Sequence, residues 1–176
     1  MAKITYGTNL SLDGYIDHEA FAPGPEVFRH WIDHVKSLTG SVYGRIMYET
    51  MRYWDETHHD WTPEQHEFAD AWRRMPKWVV SRTLKSVGPN ATLISDDPAA
   101  LVRRLKAEKS GQITVSGSKL AGSLAGLGLI DEYRLYYHPI ALGGGKPFFT
   151  EAHPRMRLIA ADEIGDSVVR LTYAPA

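Results

Sequence analysis

The sequence has no cysteine. That removes disulfides, thiolate metal sites, iron–sulfur clusters and cysteine nucleophiles from consideration. It also has little net charge: 20 Lys and Arg against 21 Asp and Glu leave −1 at pH 7, so no cationic excess is available to hold a nucleic-acid backbone. No apolar run is longer than a few residues, and Met1-Ala2-Lys3-Ile4-Thr5 contains no hydrophobic segment. The expectation is therefore a cytoplasmic protein with no membrane span or secretory signal and no nucleic-acid partner. No repeat, low-complexity segment or linker interrupts the chain. Hydrophobic residues make up 43% of its 176 positions, which fits a single domain over residues 1–176 with one core.

What is present is an alternation of strand and helix signals. Lys3 to Asn9 is β-compatible and Asp13-Gly14 is a turn dipeptide before Tyr15 and Ile16. Pro25 and Glu26 open a helical pattern whose apolar positions Val27, Phe28, Trp31, Val35 and Leu38 recur at three- and four-residue steps, with its end predicted near Gly40. Ser41-Val42-Tyr43 predicts a short strand, Gly44 a turn, and Arg45 to Met51 a helix. Thr62-Pro63-Glu64-Gln65 has the pattern of a capping box, before a stripe of Phe68, Ala69, Trp72 and Met75. Strands are predicted at 77–81, 91–95, 112–116 and 132–140, and helices after Asp97-Pro98 and over 119–127. Two β-type runs, 156–164 and 167–173, flank Gly165-Asp166 as a hairpin. The class is α/β: a mainly parallel central sheet flanked by helices, closed by an antiparallel C-terminal hairpin.

Three strand-to-helix turns carry small and basic residues: Gly44-Arg45, Ser81-Arg82-Thr83 and Ser116-Gly117-Ser118-Lys119. In an open α/β sheet such turns gather at the carboxyl edge, where amide N–H groups and cationic side chains suit phosphates. They can equally be plain tight turns with solvated basic residues. No Gly-x-Gly-x-x-Gly follows a strand, and Gly143-Gly144-Gly145-Lys146 is followed by Pro147 where a phosphate-binding loop needs Ser or Thr. That run reads as a flexible loop or as a segment beside a ligand. His30 and His34 have the spacing of a metal pair, with His58-His59-Asp60 as further ligands, but Glu26 on the same face makes a solvated polar stripe the simpler account. Trp54, Trp61, Trp72, Trp78, Tyr48 and Tyr53 could line an aromatic pocket, or serve core and subunit interface. No Gly-x-Ser-x-Gly elbow is present.

Six segments in order, Ser11-Leu12-Asp13-Gly14-Tyr15-Ile16, Tyr43-Gly44-Arg45-Ile46-Met47-Tyr48-Glu49, Val79-Val80-Ser81-Arg82, Val115-Ser116-Gly117-Ser118, Leu129-Ile130-Asp131-Glu132-Tyr133-Arg134 and Pro139 to Phe149, resemble the dihydrofolate-reductase-like superfamily. The likeness is strongest to the C-terminal reductase domain of the bifunctional riboflavin-biosynthesis deaminase-reductase and its stand-alone relatives. The resemblance implies a three-layer dihydrofolate-reductase-like fold, a homodimer and NADPH as cofactor. It implies that Gly44, Arg45 and Ile46 lie at the pyrophosphate and Ser81 and Arg82 near the adenosine ribose and its 2′-phosphate. Gly117, Ser118, Lys119, Leu120 and Ala121 would follow the second glycine turn, with Asn9 and Ile16 bordering the nicotinamide. Arg82 suits NADP over NAD because a guanidinium meets a phosphate monoester with two parallel hydrogen bonds.

Dihydrofolate reductases carry a buried carboxylate on the first long helix. The family spacing puts Trp31 there, and an indole is no general acid, so dihydrofolate reductase activity is not expected. The substrate pocket is expected to draw on Trp31, Tyr48 and Tyr137, and Asp13 is the candidate proton donor, or else a turn aspartate holding its loop. The expected function is NADPH-dependent reduction of a small heterocyclic or imine-like substrate, of pyrimidine or pterin type. A 5-amino-6-(5-phosphoribosylamino)uracil-type compound is included, although the deaminase's His/Cys zinc motif does not occur in this sequence. The rivals are a non-catalytic NADP(H)-binding protein of the same fold and a metal-dependent enzyme using the histidines.

Overall fold

The computed structural model describes residues 1–151 and 155–176. In chain order the elements are β1 (Lys3–Leu10), β2 (Tyr15–Ile16), α1 (Pro25–Ser37), β3 (Leu38–Gly44), α2 (Arg45–Met51), a 3₁₀ turn (Arg52–Asp55), α3 (Pro63–Arg74), β4 (Lys77–Val80), β5 (Ala91–Ile94), α4 (Pro98–Glu108), β6 (Gln112–Ser116), α5 (Ser118–Ala125), β7 (Glu132–Tyr137), β8 (Lys146–Pro147), β9 (Met156–Ile164) and β10 (Val168–Pro175). Eight strands form one sheet in the order β5-β4-β3-β6-β1-β7-β10-β9. The first six run parallel, and β10 and β9 are antiparallel. Helices cover both faces, so the expected α/β architecture is the observed one. Among the described residues no helix is long and apolar enough to cross a membrane.

The two faces of the sheet differ in chemistry. One carries Ile4, Tyr6, Leu10, Val42, Ile113, Val115, Tyr133 and Leu135, packed with Leu101, Val102 and Leu105 of α4 and Ala121 and Leu124 of α5. This is the main core. On the other face Ile32 and Val35 of α1, Phe68 and Trp72 of α3 and Tyr43 and Val79 of the sheet make a second cluster. Toward β1, β6 and β7 that same face turns polar: Thr5, Gln112, Glu132 and Arg134 are joined by hydrogen bonds of 2.7–3.3 Å, and Thr114 donates to Ser41 at 2.9 Å. Arg134 crosses β1 to reach Gln112. Its register partner is Gly7, where a Cβ would stand 2.9 Å from the Arg134 Cβ.

Helix ends follow local chemistry. Thr62 caps α3 through a capping box with Gln65, as the sequence predicts, and Asp97 caps α4 by accepting the Ala99 N–H at 2.8 Å. Lys77 closes the other end of α3. Its ammonium donates to the Met75 carbonyl at 2.9 Å and lies 4.2 Å from the Trp72 ring centre, and burial lowers its pKa to about 8. Several boundaries differ from the sequence reading. The first helix ends at Ser37, because Leu38 and Gly40 are already paired with β6, so sheet pairing overrides the helical period. The strand predicted over 132–140 stops at Tyr137, and the β2–β8 pair, which no pattern of two residues can announce, was not expected.

Gly40 shows how tight the β3–β4 contact is: a Cβ there would lie 2.5 Å from the Trp78 ring and 2.9 Å from the Pro76 carbonyl. Gly40→Ala is expected to destabilise the fold by about 1–3 kcal/mol through overpacking. Urea unfolding should show a lower midpoint with unchanged slope.

Candidate functional site

Because β4, β3 and β6 are neighbours and parallel, the turns that follow them lie on one edge of the sheet. The residues the sequence singles out there meet. Gly44 ends β3 and Gly117 follows β6, and a Cβ on Gly117 would sit 3.7 Å from the Gly44 Cα. Gly117 has φ +122°, a conformation open to glycine and strained for other residues. Neither α2 nor α5 has a side-chain cap at its first turn. Arg45 is exposed and paired with Glu49 at 2.9 Å, while Arg82 and Lys119 are exposed and form no ion pair among the described residues. Ile46 is exposed beside them. Ser81 is buried and its Oγ accepts the Thr83 and Leu84 N–H groups at 3.2 and 3.1 Å. It shapes the turn that carries Arg82. Ser118 and Ala121 are buried and Leu120 half-buried, so Ala121 meets the core with its side chain and offers the edge nothing but backbone.

A cleft of about 1040 Å³ opens between α1 and the polar side of the sheet. Gly7, Asn9, Thr114 and Ser116 line its sheet side, Phe28, Trp31 and His34 its α1 side, and Trp54 and Phe68 a third wall. Tyr43, Met47 and Ser116 carry it to the neighbourhood of Gly44 and Gly117. Two polar atoms in this lining are buried with no hydrogen-bond partner, Asn9 Oδ1 and Trp31 Nε1. An orphaned buried donor or acceptor costs stability unless a ligand completes it. His34 is neutral: burial, reinforced by Arg134, His30 and Arg170, brings its pKa down to about 3.

Other sequence expectations are corrected. Asp13 is not poised as a proton donor. Its carboxylate accepts from Ser11 Oγ and from the Leu142 and Gly143 N–H groups at 3.1 and 2.7 Å, and these bonds lower its pKa to about 2. It clasps the glycine run to the first loop. Tyr48 does not line the cleft; it is buried in the second core cluster and its Oη accepts the Gly88 N–H at 2.7 Å. Tyr137 points to the opposite face of the sheet and packs on the main core. Alternation puts Tyr136 on the cleft side, its ring centre 4.6 Å from that of Trp31. His30 and His34 are no solvated stripe: they stack at 6.2 Å and face inward, with His30 Nε2 3.2 Å from Tyr136 Oη. Among the described residues no three His, Asp or Glu side chains are grouped to hold a metal ion.

Sequence reasoning missed His34 and Tyr136 as cleft-side groups and Arg134 beneath them. The signal was there in the helical and strand periods, since His34 falls one turn after Trp31 and Tyr136 shares a face with Arg134. Of the tryptophans, Trp54 lines the cleft, Trp72 is core and Trp78 packs on the opposite face.

Residues 2–170 match the model of the RibD C-terminal domain. The uncharacterized protein YyaP of Bacillus subtilis (strain 168) is 27% identical over 147 residues, 80% of this chain and 76% of its own. A crystal structure from Shewanella sp. PV-4, assigned by name to riboflavin biosynthesis, superposes with a TM-score of 0.74 at 23% identity over 100% of this chain and 99% of that one. A diaminohydroxyphosphoribosylaminopyrimidine deaminase/5-amino-6-(5-phosphoribosylamino)uracil reductase from Thermotoga maritima superposes at 0.68 with 14% identity, and this chain spans 57% of its length.

Two outcomes follow from the site's electrostatics. With a folded pKa near 3 against about 6.5 unfolded, His34 binds a proton only in the unfolded chain across that window. Its contribution is complete above pH 6.5 and is lost as pH falls toward 3, with a slope of up to about 1.4 kcal/mol per pH unit. Urea unfolding of His34→Gln between pH 4.5 and 7 should show a flatter pH dependence than the parent chain. Asp13→Asn should raise hydrogen exchange at the Leu142 and Gly143 amides by tenfold or more while moving the melting temperature little.

Proposed function

The chain belongs to the RibD C-terminal domain family, and from that premise we propose that it is an NADPH-dependent reductase acting on a small heterocyclic or imine-like substrate. Membership supports a reductase-type function. The Thermotoga maritima relative, with its reductase activity on a pyrimidine, supports the substrate type. The observation that carries the reading is the meeting of Gly44 and Gly117 at a sheet edge that also holds Arg45, Arg82 and Lys119, continuous with a cleft holding an orphaned acceptor.

The residues fit the cofactor. Missing side chains at Gly44 and Gly117 would admit a pyrophosphate close to backbone N–H groups. Arg82, which forms no ion pair among the described residues, would meet the 2′-phosphate, and Lys119 would add charge. Asn9 Oδ1 accepts and cannot donate, so it suits the amide N–H of a nicotinamide, with Ile16 giving the ring an apolar neighbour. When bound, the dinucleotide supplies a hydride. The chain's own share is to hold the two reactants against each other and keep water from the reacting carbon through the aromatic wall of Phe28, Trp31 and Trp54. No carboxylate lies on the sheet side of the cleft, and the neutral His34 beside Trp31 offers one N–H and one lone pair. That lack of an acid is what favours the second reading, a non-catalytic NADP(H)-binding protein. The homodimer implied by the family is part of the same proposal.

NADPH should raise the melting temperature by several degrees at about 100 times its Kd, equivalent to about 2.7 kcal/mol, with a markedly smaller rise for NADH. Arg82→Ala should abolish the difference between the two. An Arg82→Ala protein that keeps the NADPH preference overturns the assignment. NADPH oxidation against pterins, pyrimidines and small carbonyls separates the readings: turnover establishes the reductase, and tight binding without turnover the binding protein.

A further inference from the structure

We propose that the cleft recognises an uncharged or cationic ring compound by an acceptor atom, a carbonyl oxygen or imine-type nitrogen, set against the Trp31 indole N–H, and that it rejects compounds bearing a phosphate. This rests on the cleft being the substrate side of the reductase proposed above and narrows its substrate class. Three observations carry it. First, Trp31 Nε1 is buried in the cleft lining with no partner, and an indole N–H can do nothing but donate. A ligand acceptor is what completes it. Second, the indole is held in place: its ring centre lies 4.6 Å from Tyr136 on one side and 5.6 Å from His34, edge-on, on another. The donor is therefore presented in a fixed direction, by a residue with no charge to neutralise.

Third, the charges of the lining have the wrong sign for phosphate. Asp17, Glu26 and Glu64 line the cleft. Against them stands Arg29, the one Arg or Lys in the lining among the described residues, and its guanidinium is already bound to Glu67 at 2.8 Å. Arg134 lies under the polar floor, satisfied by Glu132 and Gln112, and is not part of the lining. An anionic group entering here would lose its hydration to face carboxylates, whereas the unpaired cations, Arg82 and Lys119, stand at the strand-end turns. A ring with a phosphorylated ribose tail is thus the poorer ligand.

The experiment uses the full chain, with the Trp31 indole N–H resonance observed by nitrogen-edited NMR and assigned by Trp31→Phe or, if that variant does not fold, by sequential assignment. Uridine and uridine 5′-phosphate are the probes. Uridine at millimolar concentration should shift the Trp31 resonance, and its phosphate should bind at least tenfold more weakly. The exposed double variant Asp17→Asn/Glu26→Gln should narrow that gap severalfold. Equal or tighter binding of the phosphate, or no shift of the Trp31 resonance with uridine, overturns the proposal. NADPH-induced melting is measured alongside: failure there with the uridine result intact removes the reductase reading and leaves the recognition standing, and the reverse pattern removes the recognition alone.

Discussion

Two strand ends that touch are the constraint on which the rest of this molecule depends. Gly117 stands close against Gly44, in a backbone conformation, φ +122°, that residues with a side chain rarely adopt. A Cβ at either place would fill the gap between the first turns of α2 and α5. That gap exists because β3 and β6 are parallel neighbours whose helices leave in the same direction. The basic residues of three separate segments share an edge for the same reason. None of them contacts another in sequence; the sheet order alone brings them together.

The polar half of the α1-facing side of the sheet is the second consequence. A largely buried row of Thr5, Gln112, Glu132 and Arg134 is tolerable because the groups satisfy one another, and Thr114 beside them is satisfied by Ser41. Arg134 reaches across β1 only because Gly7 leaves room for it. Of the buried side-chain polar atoms left without a hydrogen-bond partner, two belong to the cleft lining, at Asn9 and Trp31; the others are at Asp55, His58 and His138. An open acceptor and an open donor lining one cavity are groups that a bound molecule can complete. The neutral imidazole of His34 belongs to this economy too. Burial beside Arg134 and Arg170 keeps it uncharged, so the roof of the cleft adds no charge to the floor.

Much of the fold was legible in the sequence, because the alternation of strand and helix signals is local. The capping box at Thr62 and the turns at Gly44 and Gly117 depend on nearest neighbours, and they are where the pattern puts them. What failed needed long-range information. The helical period runs through Leu38, but pairing with β6 claims that residue for the sheet. Tyr48 looks like a pocket aromatic until α3 and the Gly88 segment are packed round it. Tyr137 belongs to a strand whose two faces cannot be told apart by composition, both carrying tyrosine, so a shift of one residue exchanges the cleft side for the core. Asp13 seemed free because its partners at Leu142 and Gly143 are 129 and 130 positions away.

The division of charge between the two halves of the proposed site has a physical origin. Under the proposed function the dinucleotide carries its phosphates, so its seat would have to supply cations not spent on internal ion pairs, as Arg82 and Lys119 at the exposed edge would. A hydride acceptor gains nothing from bulk negative charge nearby, and a carboxylate on the floor would oppose electron flow into the substrate. Here the carboxylates of the lining, Asp17, Glu26 and Glu64, are exposed, and the groups at Trp31, His34 and Asn9 are neutral. Asp13, exposed and held at a pKa near 2 by the loop it clasps, is ionised at neutral pH and has no proton to deliver. Any proton that accompanies reduction must come from water at the mouth of the cleft or through the unpaired nitrogens of His34, whose burial makes the second route favourable only once a negative charge forms beside it.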